Sequence, residues 1–316
     1  MRLLLLIFFS IFSFGDGHIF VYHRFDDNRY PTTNISTKTL RAEFNYLKKH
    51  GYKVVKLSDF VKKITKHEEI PDNWVAFTID DGFKSFYTHG LKVFREYNYP
   101  FTLFIAVKYT DKGYRDYVSW KELQEIAKYG DIEFHSYSHG HYVRMNTRGI
   151  KDDIEKGLAL MKRYLNYKPN FFVCPYGECD IGILKIIASY YFRAVFNQNI
   201  GAVNGKCTDR YNIDRSAIVG SNKRDFKLYL KFKELCGVAF RYPLYYPNRG
   251  FIGEIRIDLE DKSIKEAEVF ISGYGWRKVK VVDGKIRYHA NKRVHRDRIK
   301  IGVKVKNRIK LMVLSK

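Results

Sequence analysis

The sequence predicts an α/β chain, a distorted (β/α) barrel of about seven units followed by a small all-β, sandwich-like domain. Two observations carry this reading. From residue 18 to about 220, short β-branched or aromatic runs alternate with longer helical patterns; after roughly residue 222 the pattern turns to closely spaced strands and turns. At 316 residues the chain is longer than a single core usually grows, so two domains are expected, 16–222 and 223–316.

In the first part the candidate strands are His18–Tyr22, Tyr52–Val55, Trp74–Ile79, Phe101–Val107, Ile132–His135, Phe171–Cys174, Arg193–Phe196 and Ser216–Val219. Helical periodicity falls between them, over Thr37–His50, Ser58–Lys66, Lys84–Tyr97, Ser119–Tyr129, Gly149–Leu165 and Asp180–Tyr190. Ser58, Ser119 and Asp180 stand where N-caps belong, and Gly51 and Gly130 where C-caps belong. Lys223–Lys233 is basic and reads as a connector. Seven short strands follow, from Leu235–Phe240 to Ile309–Leu314, with Asp283-Gly284 as a two-residue hairpin turn. Strands this short and close favour an immunoglobulin-like sandwich.

The first residues carry one positive charge, Arg2, then an apolar run from Leu3 to Phe9 that continues through Ile11 and Phe12. This predicts a signal peptide over residues 1–15, with a retained membrane anchor as the alternative, and hence an exported chain, periplasmic or extracellular. Four cysteines, Cys174, Cys179, Cys207 and Cys236, are compatible with disulfides in such a compartment; three pairings are open.

The formal charge is +23. Residues 223–316 supply most of it, with about 25 Lys or Arg against about 10 Asp or Glu. A field of that sign attracts anionic polymers, so an anionic envelope polymer or a membrane surface is the expected partner of the basic domain, unless these charges only solvate outward strand faces. No nucleic-acid-binding motif is present, and nucleic acid is not expected as a partner.

The chemistry-bearing residues sit at strand ends. Asp80-Asp81-Gly82 leaves the apolar run Trp74–Ile79, and in barrels of this kind reactive groups gather at the C-terminal strand ends. Adjacent residues leaving a strand diverge, so one carboxylate can bind a metal while its neighbour faces the substrate as a base. His135-Ser136-Tyr137-Ser138-His139 leaves a second strand with two imidazoles four residues apart. Two neutral imidazoles and one carboxylate make a three-ligand site with a position open for water, as catalytic zinc requires.

Together these motifs resemble those of the polysaccharide deacetylases, carbohydrate esterase family 4 with its NodB-homology domain. The resemblance rests on Thr78-Ile79-Asp80-Asp81-Gly82, on His135, Ser136 and His139, on Pro175-Tyr176-Gly177, and on Val118-Ser119-Trp120-Lys121-Glu122-Leu123. It runs from about residue 18 to 220. It implies that Asp81, His135 and His139 hold a divalent metal, zinc first among the candidates, and that Asp80 is the general base. It places the Tyr176 backbone N–H at the oxyanion, with Pro175, Trp120 and the Tyr176 ring near the sugar.

Two departures stand out. Val173 occupies the position where many members carry an arginine that orients the base, and Arg215 is the substitute the sequence offers. No late Leu-x-His motif supplies the general acid either. Val21-Tyr22-His23 is similar to the circularly permuted poly-N-acetylglucosamine deacetylases, in which the acid histidine comes first, so His23 is expected in that role with His141 as its rival. The function implied is hydrolysis of N-acetyl groups on an N-acetylhexosamine polysaccharide, an exopolysaccharide or cell-wall glycan. The alternatives are an inactive polysaccharide-binding protein and a metal-dependent O-acetyl esterase.

Overall fold

The computed structural model describes residues 15–220 and 223–316; the expected leader, Gly15 apart, lies outside the described residues. Six strands run parallel, side by side and in chain order: β1 (Asp16–Tyr22), β2 (Trp74–Ile79), β3 (Thr102–Ile105), β4 (Asp131–Phe134), β5 (Phe171–Val173) and β6 (Ala194–Phe196). Ile213 then bridges Phe196, and β7 (Ser216–Ala217) pairs in parallel with β1, so the stretch 213–217 joins the two edges of the curled sheet. Parallel strands covered on both faces need continuous apolar runs, and β1 is buried along its whole length.

The helices are fixed by local chemistry. Thr37–Lys49 starts at Ser36, whose hydroxyl accepts from the Thr39 N–H, and buries Leu40, Phe44 and Leu47 on one face. Ser119 and Glu122 form a reciprocal capping box on Trp120–Ile126, and Asp180 caps Ile181–Ala188. Two expected caps are corrected. The helix expected from Ser58 starts one residue earlier, at Leu57 after Lys56, which buries Leu57; and Gly130 ends no helix but leaves room for the Phe101 ring, 2.4 Å from where a Cβ would sit. The helix expected over Lys84–Tyr97 is a π-turn, Phe86–Gly90, running into an α-helix, Leu91–Tyr97.

The C-terminal region is all β. A five-stranded sheet orders Lys233–Glu234, Arg308–Ser315, Arg298–Val305, Glu266–Ile271 and Gly275–Lys280; a three-stranded sheet orders Val238–Tyr242, Phe251–Leu259 and Lys285–Arg293. Ile255, Ile257 and Ile286 from the small sheet share a core with Val269, Ile301 and Val303 from the large one. The Asp283-Gly284 turn has positive φ at both residues, as a type I′ hairpin requires.

The basic segment expected as a connector is instead a helix, Lys223–Tyr229. Phe226, Tyr229 and Leu230 are buried in the barrel's core, with Phe226 against Phe20 at 4.7 Å, so apolar burial fixes what charge alone reads as a linker. A Cys207–Cys236 disulfide ties the barrel to the β region. Next to it Lys310 of the β region, itself partly buried, reaches the buried carboxylates of Asp214 (3.2 Å) and Glu234 (2.6 Å). Among the described residues, no helix is long and apolar enough to cross a membrane.

Lys310→Met removes the cation between two buried carboxylates. The expected cost is about 3–5 kcal/mol, read as a fall in the urea midpoint with the disulfides intact. An unchanged midpoint would mean that this cluster does not hold the two parts together.

Candidate active site

Asp80 and Asp81 follow the end of β2, where the backbone turns left-handed at Asp81 (φ 73°) and again at Gly82 (φ 79°) and the two carboxylates take different partners around one cavity. Ser136 (67°), His139 (53°) and Tyr176 (57°) share that sparsely populated conformation in the loops after β4 and β5. Strain of this kind persists where the surroundings over-determine it. Here they do. The Ser136 hydroxyl accepts from the His139 N–H (2.9 Å), and the buried carboxylate of Asp153 accepts from the N–H groups of Tyr137 (2.9 Å) and Ser138 (3.0 Å) and from the Tyr142 hydroxyl (2.8 Å).

Asp81, His135 and His139 each turn one ligand atom inward, all within 4.8 Å of one another. Asp81 Oδ1 lies 3.4 Å from His135 Nε2 and 3.1 Å from His139 Nε2, and the two Nε2 atoms are 3.1 Å apart. The fit to a divalent ion can be tested on the donors. His135 Nδ1 is 2.9 Å from the Val173 carbonyl and must donate to it, so its Nε2 carries a lone pair toward the other two atoms. Asp81 Oδ1 is buried, and no well-directed hydrogen bond reaches it. A tetrahedral ion bound at ~2.0–2.1 Å spaces its ligands about 3.3 Å apart, which matches these separations. Burial raises the Asp81 carboxyl, but His135 and His139 offset this and hold it well below the usual range, so it is ionised.

Asp80 sits beside the trio, 2% exposed and locked by Arg215. The guanidinium donates from Nη1 to Oδ1 (2.8 Å) and from Nη2 to Oδ2 (2.7 Å), and its remaining bonds run to Thr78 Oγ1 (2.9 Å) and the Asn197 carbonyl (3.0 Å). Arg215 is fully buried, so this bidentate pair works without solvent screening. Desolvation pushes Asp80 up, yet Arg215 carries it below the ordinary carboxylate value.

A cavity of about 280 Å³ opens over these groups, lined also by His23, Tyr176, Gly177, Gln198 and Arg298. His23 follows β1; burial lowers its pKa, against the pull of Asp81 and Asp80, and the Gln198 amide lies 3.3 Å from its Nε2. His141, the rival acid, pairs with Glu178 (2.8 Å) and stacks on Tyr176 at 4.0 Å, and it does not line the cavity. The Tyr176 ring meets His139 edge-on at 4.5 Å, in a loop closed by a Cys174–Cys179 disulfide.

Two expected sugar contacts are not brought in. Trp120 is absent from the cavity lining because its ring stacks on Tyr164 (4.5 Å, 13°) against the core, and Pro175 is buried behind Tyr176 in the loop backbone without lining the cavity. Tyr137 and Tyr142, beside the histidine motif, are core residues. Sequence reasoning missed Asp153, Gln198 and Arg298. Asp153 lies inside an amphipathic helix and could have been flagged only as a charge on its buried face; Gln198 and Arg298 carry no motif.

Residues 67–195 match the family model described as polysaccharide deacetylase. Among its relatives is the poly-β-1,6-N-acetyl-D-glucosamine N-deacetylase of Staphylococcus aureus (strain MSSA476), 24% identical over 61% of this chain and 70% of that one. The enzyme of the same name from Escherichia coli (strain K12) is 22% identical over 56% of this chain, which spans only 32% of that protein's length. IcaB from Ammonifex degensii superposes with a TM-score of 0.60 at 22% identity, covering 68% of this chain and 97% of that one. A Streptococcus pyogenes deacetylase, PplD, solved in complex with acetate, gives 0.59 at 15% identity over 65% and 92%.

Replacing His139 by Ala, or Asp81 by Asn, is expected to weaken zinc binding by more than about a hundredfold, measured by calorimetry on chelator-stripped protein. Unchanged affinity in both variants would show that this trio does not hold the ion.

Proposed function

We propose that the chain is an exported hydrolase that removes N-acetyl groups from an N-acetylhexosamine polysaccharide. The observation that carries this is the pairing of two unlike carboxylates at one strand end: Asp81 facing two imidazole Nε2 atoms, and Asp80 ionised and held square by Arg215. Val173 in place of the family arginine would suit an inactive binding protein if nothing else oriented Asp80. Arg215, reaching Asp80 from the residue before β7, supports the enzyme reading instead.

In this reading Asp81, His135 and His139 hold the divalent ion, and their two-nitrogen, one-oxygen donor set favours zinc. The ion would polarise the acetyl carbonyl and acidify water. Asp80, fixed in orientation and ionised at neutral pH, takes the proton from the attacking water. His23, whose protonated form burial disfavours and Asp81 and Asp80 favour, would pass a proton from that imidazolium form to the departing amine nitrogen, and the neutral imidazole then regains a proton from solvent. The Tyr176 backbone N–H would steady the oxyanion and its ring would line the sugar site. The amide C–N bond breaks, acetate leaves, and the hexosamine keeps the amine. The names of the relatives point to poly-β-1,6-N-acetylglucosamine as the first polymer to try. Two disulfides among the described residues support export into an oxidising compartment.

Asp80→Asn should keep its zinc and lose acetate release by about a thousandfold or more. His23→Ala should depress turnover by about a hundredfold at unchanged metal content, and a normal rate would hand the acid role to another group. Arg215 holds the Asp80 pKa down, so Arg215→Met should raise it. The acid limb of the pH–rate profile then moves to higher pH, and a limb that stays put or moves the other way would remove Asp80 as the titrating base.

A further inference from the structure

The cavity over the metal trio is not built by the barrel alone. Arg298 opens the strand Arg298–Val305 of the β region, and its side chain reaches across to line the same cavity as Asp80, Asp81, His135 and His139. It packs against Pro175-Tyr176-Gly177: a Cβ on Gly177 would lie 3.3 Å from Arg298 Nη2. Lys300, two residues along and so on the same face of the strand, donates from Nζ to the Gln198 carbonyl (2.8 Å). The β region thus grips the loop after β6 at the point where Gln198 meets His23.

The charges of these groups do not balance. Of the two guanidiniums lining the cavity, Arg215 is consumed by Asp80, whereas Arg298 makes no ion pair with any carboxylate among the described residues. Glu178, the acidic group that acts on it, is already paired with His141. The one polar side-chain contact of Arg298 is a long one, Nη2 to Gln198 Oε1 at 3.5 Å, and its Nε is buried without a partner. A desolvated cation that leaves donors unused is costly unless a ligand satisfies it. A guanidinium's fork is shaped for the paired oxygens of a carboxylate or phosphate.

We propose that Arg298 is a specificity-determining residue of the substrate cavity, contributed by the β region, and that it receives an anionic oxygen group, carboxylate or phosphate, carried by the glycan next to the acetylated amine. This rests on the deacetylase reading and narrows its substrate class to acidic N-acetylhexosamine glycans. The chemistry of the product agrees. Deacetylation leaves an amine that is protonated near neutral pH, and an unpaired guanidinium beside it would repel a purely cationic product. An acidic substituent between the two compensates both.

The test uses the full chain loaded with zinc. Acetate release is followed on neutral N-acetylglucosamine oligomers and on the same oligomers bearing, at one hydroxyl position at a time, a carboxymethyl or a phosphate group. One anionic series should exceed the neutral one by about ten- to a hundredfold in kcat/KM, mostly through KM, and which series wins identifies the anion. Arg298→Gln should collapse that ratio toward one, and Arg298→Lys should keep part of it. The wild-type comparison needs no variant to fold: if neutral oligomers are hydrolysed as well as every anionic one, the proposal is overturned, as it is if Arg298→Gln retains the preference. Acetate released from no series would remove the deacetylase reading itself, a result distinct from hydrolysis without preference.

Discussion

The buried pair between Arg215 and Asp80 is the constraint around which the barrel and its site are jointly arranged. Arg215 immediately precedes β7, in the stretch that joins the two edges of the curled sheet, and Asp80 follows β2, two strands away from β7 across β1. An ion pair with no exposure at the arginine is tolerable only when every donor and acceptor is used. The guanidinium comes close to this condition, with all three nitrogens and four of its N–H groups donating to the Asp80 carboxylate, the Thr78 hydroxyl and the Asn197 carbonyl. Thr78 in turn donates to the Phe20 carbonyl of β1, so the network stitches three strands together at their C-terminal ends. Orientation of the Asp80 carboxylate and closure of the sheet are therefore coupled, and a chain that fails to close does not present that carboxylate.

The same economy governs the trio. Three side chains from two loops must hold donor atoms against one another in a buried space, an arrangement that lone-pair repulsion would scatter without either an ion or a rigid frame. The frame is visible in the left-handed residues Asp81, Ser136 and His139 and in the groups that pin them. Asp153 satisfies two loop N–H groups and a tyrosine hydroxyl with one carboxylate, and the Val173 carbonyl fixes which nitrogen of His135 is free. Val173 thus serves through its backbone, at the position where the family arginine would serve through its side chain.

Much of this was legible in the sequence, and the reasons differ by element. The strand Trp74–Ile79 was readable to the residue because an apolar run ending in two aspartates has one sensible register. The capping chemistry at Ser119 and Asp180 is local and was readable for the same reason. Helix Lys223–Tyr229 was not, since its basic residues dominate the composition while the few apolar ones that decide its packing need the barrel core to be recognised. Trp120 shows the opposite failure. A motif resemblance places it near sugar, but an indole with a tyrosine ring 4.5 Å away is held by packing, and no local pattern reveals Tyr164 forty-four residues on. Arg215 could be named from sequence only as a candidate, because its partner is 135 residues distant and nothing but the folded sheet brings them together.

The placement of the β region follows from the same physics of uncompensated groups. Its inward strands bring Arg298, Lys300 and Lys310 toward the barrel, and the three meet different fates. Lys310 finds two buried carboxylates, and its charge is absorbed into structure. Lys300 finds a backbone carbonyl, and burial pushes its pKa down to about 8, so it holds its proton only weakly. Arg298 cannot shed its proton in any comparable way and finds neither kind of compensation, at the one position of the three that opens onto Asp81, His135 and His139. Other cations of the β region, Arg277, Lys278 and Lys280 among them, are exposed, where water screens them. Within the cavity a single guanidinium, poorly solvated and unpaired, exerts more discrimination between ligands than many solvated lysines, because its field acts through a medium of lower dielectric over a few ångströms.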